Sequence, residues 1–100
     1  WAAHVNHAQK AGISMETIRA VYEKKGVETF SAEDAAIVSF VREMIHKHRV
    51  SEATFQAVYG RLSAKKMVEL AATIGYYAML ACTLNTFDVY TVTPPEDLKI

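Results

Sequence analysis

Cysteine is nearly missing from this sequence: Cys82 is the only one in 100 residues. A single thiol excludes a disulfide within the chain and a dithiol centre built from these residues alone. Proline occurs twice, as the pair Pro94-Pro95, where it ends any regular structure. Glycine is also scarce, with four residues, and Gly12 and Gly26 each follow a helical pattern. Neither sign of charge is in excess, because 11 basic and 11 acidic residues cancel. That balance argues against a nucleic-acid partner, whose recognition would rest on clustered Lys and Arg. No uninterrupted apolar run reaches the roughly 18 residues that a membrane span requires. The longest candidate, Met67 to Phe87, is broken by Glu69, Thr73, Thr83 and Asn85, so no membrane partner is expected. No secretory signal is visible, and the expected location is cytoplasmic.

What the chain does have is apolar material, at 51% of residues. That is above the usual share for a soluble domain. In a chain of one-domain length, the surplus predicts apolar surface shared between subunits, and so a homo-oligomer.

The punctuation is helical throughout. Ser14, Ser31, Ser51 and Ser63 each stand directly before a helical pattern, as N-cap residues do. Asp34 follows Ser31 by three residues, a capping-box spacing with Asp in place of Glu or Gln. Five helices are expected, with short loops that imply antiparallel neighbours. The first comes in before Trp1 and ends near Ala11, stopped by Gly12. The second runs from about Met15 to Lys24, with Met15, Ile18, Val21 and Tyr22 on one face and Gly26 beyond its end. The third runs from about Ala32 to His48, with Ile37, Phe40, Val41, Met44 and His48 inward. The fourth runs from about Glu52 to Leu62, with Phe55, Val58, Tyr59 and Leu62 on one face. The fifth runs from about Ala64 to Phe87 and is apolar nearly all round after Leu70, which predicts the most buried helix. The tail, residues 88–100, reads as extended. One all-α domain spans residues 1–100.

The residue with most chemical promise is His4. At 100° per residue, Trp1, Val5, Ala8, Ala11 and Gly12 share one side of the first helix, and His4 lies inside that stripe. An imidazole in an apolar seam is either a hydrogen-bonded core residue or a proton-transfer group. His7, three residues on, sits at the edge of the stripe. Two histidines without a third ligand do not make a zinc site, and no metal is expected. Glu43 and His46 have the Glu-x-x-His spacing of helical di-iron sites. They fall on the outer face of their helix, with no second copy of the motif, so a solvated surface pair is the better reading. Cys82 is expected to be buried and inert on the fifth helix. Glu69 and Asn85 are polar groups on that helix, and each needs a partner if buried; Glu69 is a weak candidate for a supporting role at a site. Tyr76 and Tyr77 serve either as core or as the cap of a pocket.

Trp1-x-x-His4-x-x-x-Ala8-x-x-Ala11-Gly12-Ile13-Ser14, with Glu16 and Ile18 after it, resembles the carboxymuconolactone decarboxylase family. So does Val68-Glu69-Leu70-Ala71-Ala72-Thr73-Ile74-Gly75-Tyr76-Tyr77, with Leu84-Asn85. The resemblance covers nearly the whole chain. It implies the AhpD-like helical bundle, assembled as trimers or hexamers, and a chain that lacks the N-terminal part of its domain. It also implies one of two chemistries. The hydroperoxidase branch has a Cys-x-x-Cys pair, with a histidine four residues after the second cysteine. If His4 is that histidine, the cysteines fall one and four residues before Trp1. The decarboxylase branch lacks the pair and relies on a histidine, usually with an acidic residue nearby. Trp1 three residues before His4 resembles the branch without cysteines.

The expectation is therefore a cofactor-free carboxy-lyase acting on a small carboxylated lactone or related acid. His4 would transfer the proton, since an imidazole suits general acid catalysis near neutral pH. Trp1, His7 and Glu69 are the weaker candidates for binding or supporting roles. Arg19, Arg42, Arg49 and Arg61 are all available to hold a substrate carboxylate. The alternatives are a peroxiredoxin-type hydroperoxidase and a non-enzymatic oligomer that binds an apolar ligand.

Overall fold

A computed structural model describes residues 2–89, with the side chains of Ala2 and Ala3 excepted. Its five helices are α1 (Ala2–Lys10), α2 (Met15–Tyr22), α3 (Ala32–Lys47), α4 (Glu52–Tyr59) and α5 (Ala64–Thr86). A single 3₁₀ turn, Val27–Thr29, leads into α3, and no strand occurs among the described residues. The protein is all-α, as the serine punctuation implies. Trp1 and the stretch 90–100, most of the expected extended tail, lie outside the described residues.

Each expected N-cap serine performs that task. Ser14, Ser31, Ser51 and Ser63 accept the backbone N–H of Thr17, Asp34, Thr54 and Lys66 at 3.2–3.3 Å. These bonds satisfy donors that a helix start otherwise leaves open. The C-terminal ends are less predictable. Gly12 takes a left-handed φ of 90° after α1, where the Ile13 N–H returns to the Ala8 carbonyl at 3.0 Å. After α2, however, the left-handed residue is Lys24, with φ 55°, and the Lys25 N–H bonds to Ala20. The helix thus stops at Tyr22, short of the expected Lys24, and Gly26 is not the residue that turns it. His48 likewise takes φ 58° as the C-cap of α3. This turns its ring to solvent, a correction to its expected inward position. Asp88, with φ 54°, ends α5 in the same way, and the Val89 N–H reaches the Leu84 carbonyl at 2.9 Å.

Two separate apolar clusters hold the helices. Val5 of α1 and Ile18 of α2 are buried against each other, with Ala8 and Met15 beside them. Phe40 of α3, Val58 of α4 and Met67 of α5 form the second, larger cluster. Ile37, Met44, Leu62, Leu70 and Ile74 pack round it. Val58 is 1% exposed and sits at its centre.

Expectation and structure part most sharply at α5. The helix is not the most buried element. Met67 is buried and Leu70 and Ile74 are partly covered, but every residue from Gly75 to Thr86 is exposed. Cys82 is exposed too, not buried. The physical reason is length. α3 and α4 cover roughly the first three turns of α5, and the rest of the 23-residue helix continues beyond them. By length and composition α5 also qualifies as a membrane-crossing helix, despite the polar residues that interrupt it.

Glu43 joins α3 to α4. Its carboxylate accepts the Ser51 N–H at 2.8 Å and the Thr54 hydroxyl. A capping box normally takes its carboxylate from the third residue of the same helix. Here that residue is Thr54, and Glu43 supplies the carboxylate from the preceding helix. Glu43 is therefore a capping residue, partly buried at the joint and not one half of a solvated pair, while His46 is exposed. The Thr54 hydroxyl, then the Ser51 N–H, hold the Glu43 pKa below the ordinary 4.5. A depressed carboxylate pKa stabilises the fold above the unfolded-state value, and this support is lost as pH falls through the folded-state value. Glu43→Gln should therefore lower Tm at pH 7 by roughly a few degrees. The difference from wild type should shrink on acidification below pH 4.5. Thermal melts at several pH values read both effects, and a gap that stays constant down to pH 3 (roughly a unit below the ordinary value) would contradict the assignment.

Candidate functional site

α1 and α2 meet at an angle set by the four-residue turn Ala11–Ser14, and the space between them is not filled. Val5, Ala8, Ile13, Thr17, Ile18 and Val21 line a groove of about 190 Å³, with His4 at its mouth. The lining follows from spacing. Val5 and Ala8 are three apart on α1, and Ile18 and Val21 are three apart on α2, so each pair shares a helix face. Small Ala8 leaves the gap that a larger side chain would close. Thr17 is the one other polar residue of the lining, and its hydroxyl accepts from Ser14 Oγ at 3.0 Å.

His4 is exposed at this mouth and not enclosed in the dry seam expected of it. α1 buries Val5 against α2, and the neighbouring position 4 stands 100° round the helix from that contact. α5 meets it there. His4 Nε2 lies 3.3 Å from Tyr77 Oη. The two rings stand edge to face, with centroids 5.3 Å apart and planes at 86°. With the imidazole proton on Nδ1, the tyrosine hydroxyl donates to Nε2; with the proton on Nε2, the direction reverses. Tyr76 packs edge-on against Tyr77 at 5.4 Å, which extends the aromatic edge beside His4.

The other sequence candidates distribute unevenly. His7 is exposed, with its ring centroid 6.1 Å from that of His4. Among the described residues no group of three or more His, Cys, Asp or Glu could hold a metal. Glu69 is exposed on α5, eight residues before Tyr77, or about 12 Å along the helix. It does not line the groove. Trp1 lies outside the described residues. Arg42 stacks 5.9 Å over the Phe30 ring, and Arg61 faces Glu33 at 3.6 Å. Both belong to the α3–α4 side of the molecule, and among the described residues no arginine or lysine lines the groove.

Periodicity missed the pairing of His4 with Tyr77, which are 73 residues apart. No local signal links them. Ile13 and Thr17 were equally hidden, because their place in the groove depends on the angle of the Gly12 turn. No family model, no curated protein and no solved structure matches this chain.

An apolar groove of this size takes a probe as small as benzene. Titrating benzene should shift the NMR signals of Ile13, Ile18 and Val21, with a Kd on the order of 1 mM. Ala8→Phe should fill the gap and remove the shifts. Unchanged signals in the wild-type protein would mean that the groove closes in solution.

Proposed function

We propose that this chain is a subunit of a cofactor-free enzyme of the carboxymuconolactone decarboxylase type. It would act on a small carboxylated lactone or related acid, in a homo-oligomer. The observation that carries this reading is the placement of His4, with Tyr77 on its Nε2, at the mouth of an apolar groove. The groove is smaller than the roughly 300–1,000 Å³ of drug-sized pockets, which suits a small acid better than an extended cofactor.

In the reaction, loss of CO2 leaves an electron pair delocalised onto a conjugated carbonyl. His4 in its protonated form returns a proton to carbon and is left neutral, ready to take the next proton from solvent. Tyr77 acts as a positioning residue. Its hydroxyl oxygen fixes the imidazole plane by accepting Nε2–H of the imidazolium, so that Nδ1–H is the proton given to carbon and the neutral ring is left protonated on Nε2. Val5, Ala8, Ile18 and Val21 hold the apolar body of the substrate and exclude water from one side of it. Among the described residues no arginine or lysine lines the groove, so the substrate carboxylate stands at the open mouth beside His4, where it departs as CO2.

A second reading, a non-enzymatic module that binds an apolar ligand, draws on the same lining, in which only His4 and Thr17 are polar. The two separate on one comparison. Wild-type protein should consume 4-carboxymuconolactone, followed by ultraviolet absorbance. His4→Gln should lower kcat by at least about 100-fold while leaving benzene binding intact. Tyr77→Phe should lower kcat less and alter its pH profile, because it disturbs the imidazole without removing it. Binding with no turnover in wild type selects the module. Full turnover in His4→Gln removes His4 from the chemistry.

A further inference from the structure

A second groove, of about 440 Å³, runs along α3. Ser39, Arg42, His46 and Lys47 line it from the helix, and Val27 lines it from the 3₁₀ turn. It shares no residue with the groove at His4. Spacing explains the grouping. Positions 39, 42, 43, 46 and 47 follow the i, i+3, i+4, i+7, i+8 pattern of one helix face. Where such a face usually carries apolar side chains, this one carries two permanent cations and an imidazole.

The donors on this face are open. Arg42 is half-buried, and its Cζ stands 5.9 Å over the Phe30 ring. Stacking occupies a face of the guanidinium and leaves its in-plane N–H donors available. Among the described residues no carboxylate forms an ion pair with Arg42 or Lys47. The half-buried Ser39 hydroxyl likewise has no bond to a described residue. The one acid in the lining, Glu43, is already bonded to the Ser51 N–H and the Thr54 hydroxyl. Glu28, next to Val27 in sequence, folds back over Gly26 and stays out of the lining. Two cations therefore face one carboxylate whose oxygens are in use.

We propose that this groove binds a small organic phosphate. The phosphoryl head sits on Arg42, His46 and Lys47, and the body lies between Val27 and the Ser39 hydroxyl. A phosphomonoester carries roughly two negative charges at neutral pH, which matches the two cations. The guanidinium fork fits two phosphoryl oxygens, and Lys47 or His46, on the next turn, takes the third. A carboxylate has one charge and two oxygens, and would leave one of the cations unmatched. A bare phosphate ion is too short, because Ser39 and Lys47 stand about 12 Å apart along the helix axis. The negative end of the α3 dipole opposes an anion only within the last turn, and Arg42 stands before it.

The probe is glycerol 3-phosphate, titrated into the full chain at fixed ionic strength and about pH 7.5, where the head is a dianion. It should move the amide NMR signals of Val27, Ser39 and Arg42, with a Kd on the order of 1 mM. Arg42→Gln should raise that Kd at least about tenfold. Lys47→Gln, on an exposed side chain, should raise it about threefold. The second variant keeps the test open if loss of the Phe30 contact unfolds the first. Benzene binding at the His4 groove should be the same in both. Four results overturn the proposal: no saturable shift in wild type, an unchanged Kd in the folded variants, inorganic phosphate bound as tightly as glycerol 3-phosphate, or glycerate bound as tightly. No lactone enters the measurement, so its outcome is separate from that of the chemistry proposed for His4.

Discussion

The contact of Phe40, Val58 and Met67 decides where everything else in this protein stands. Among the described residues it is the one place where three helices bury side chains against each other. By holding the first turns of α5 on α3 and α4, it sets the direction in which the remaining turns project. That direction carries Tyr77 to α1, where it meets His4. Short helices such as α1 and α2, at nine and eight residues, are marginal in isolation, so their positions follow from packing. The placement of Tyr77 beside His4 is therefore a consequence of a contact at the other end of α5.

Glu43 makes that contact reproducible. α4 is only eight residues long, and its start is tied to α3 by a carboxylate that bonds both Ser51 and Thr54. Without it, the Ser51 N–H would have no carboxylate, since Thr54 stands where a capping box would place Glu or Gln. The pair Arg61–Glu33, by contrast, joins two solvent-exposed side chains, and such pairs contribute little. The joint is held by hydrogen bonds at a helix start more than by charge pairing at the surface.

How much of this was legible in the sequence depends on how local each feature is. The four serines were readable because a cap needs only its own side chain and the next helical turn. Five helices followed from them, with ends misjudged where a non-glycine residue turns left-handed. Lys24 does so at a backbone cost of about 1–2 kcal/mol, and nothing in its side chain announces it. Phe40, Val58 and the Val5–Ile18 pair were readable from helical periodicity. The burial of α5 was not. A helix that is apolar all round states that it must be covered, but the covering element can be the same chain, another copy or a membrane. The groove was half legible: His4, Val5 and Ala8 lay on one stripe, while Tyr77 reached the site through three-dimensional packing alone.

The two departures from expectation, an open His4 and an open α5, have one cause. α3 and α4 end before α5 does, so among the described residues neither of them covers α5 beyond Ile74, and every residue from Gly75 to Thr86 is exposed. His4 stands in that same uncovered zone, because Tyr77 lies one turn past Ile74. An imidazole facing bulk water gains little from its neighbours, since the high dielectric weakens every charge interaction it makes. The same ring in a water-excluded mouth interacts far more strongly with a developing anion. Cover over the outer half of α5 would thus change the electrostatics at His4 without moving either helix. The link between the two is a single side chain, Tyr77, which touches the imidazole with its hydroxyl and lies on the exposed part of α5.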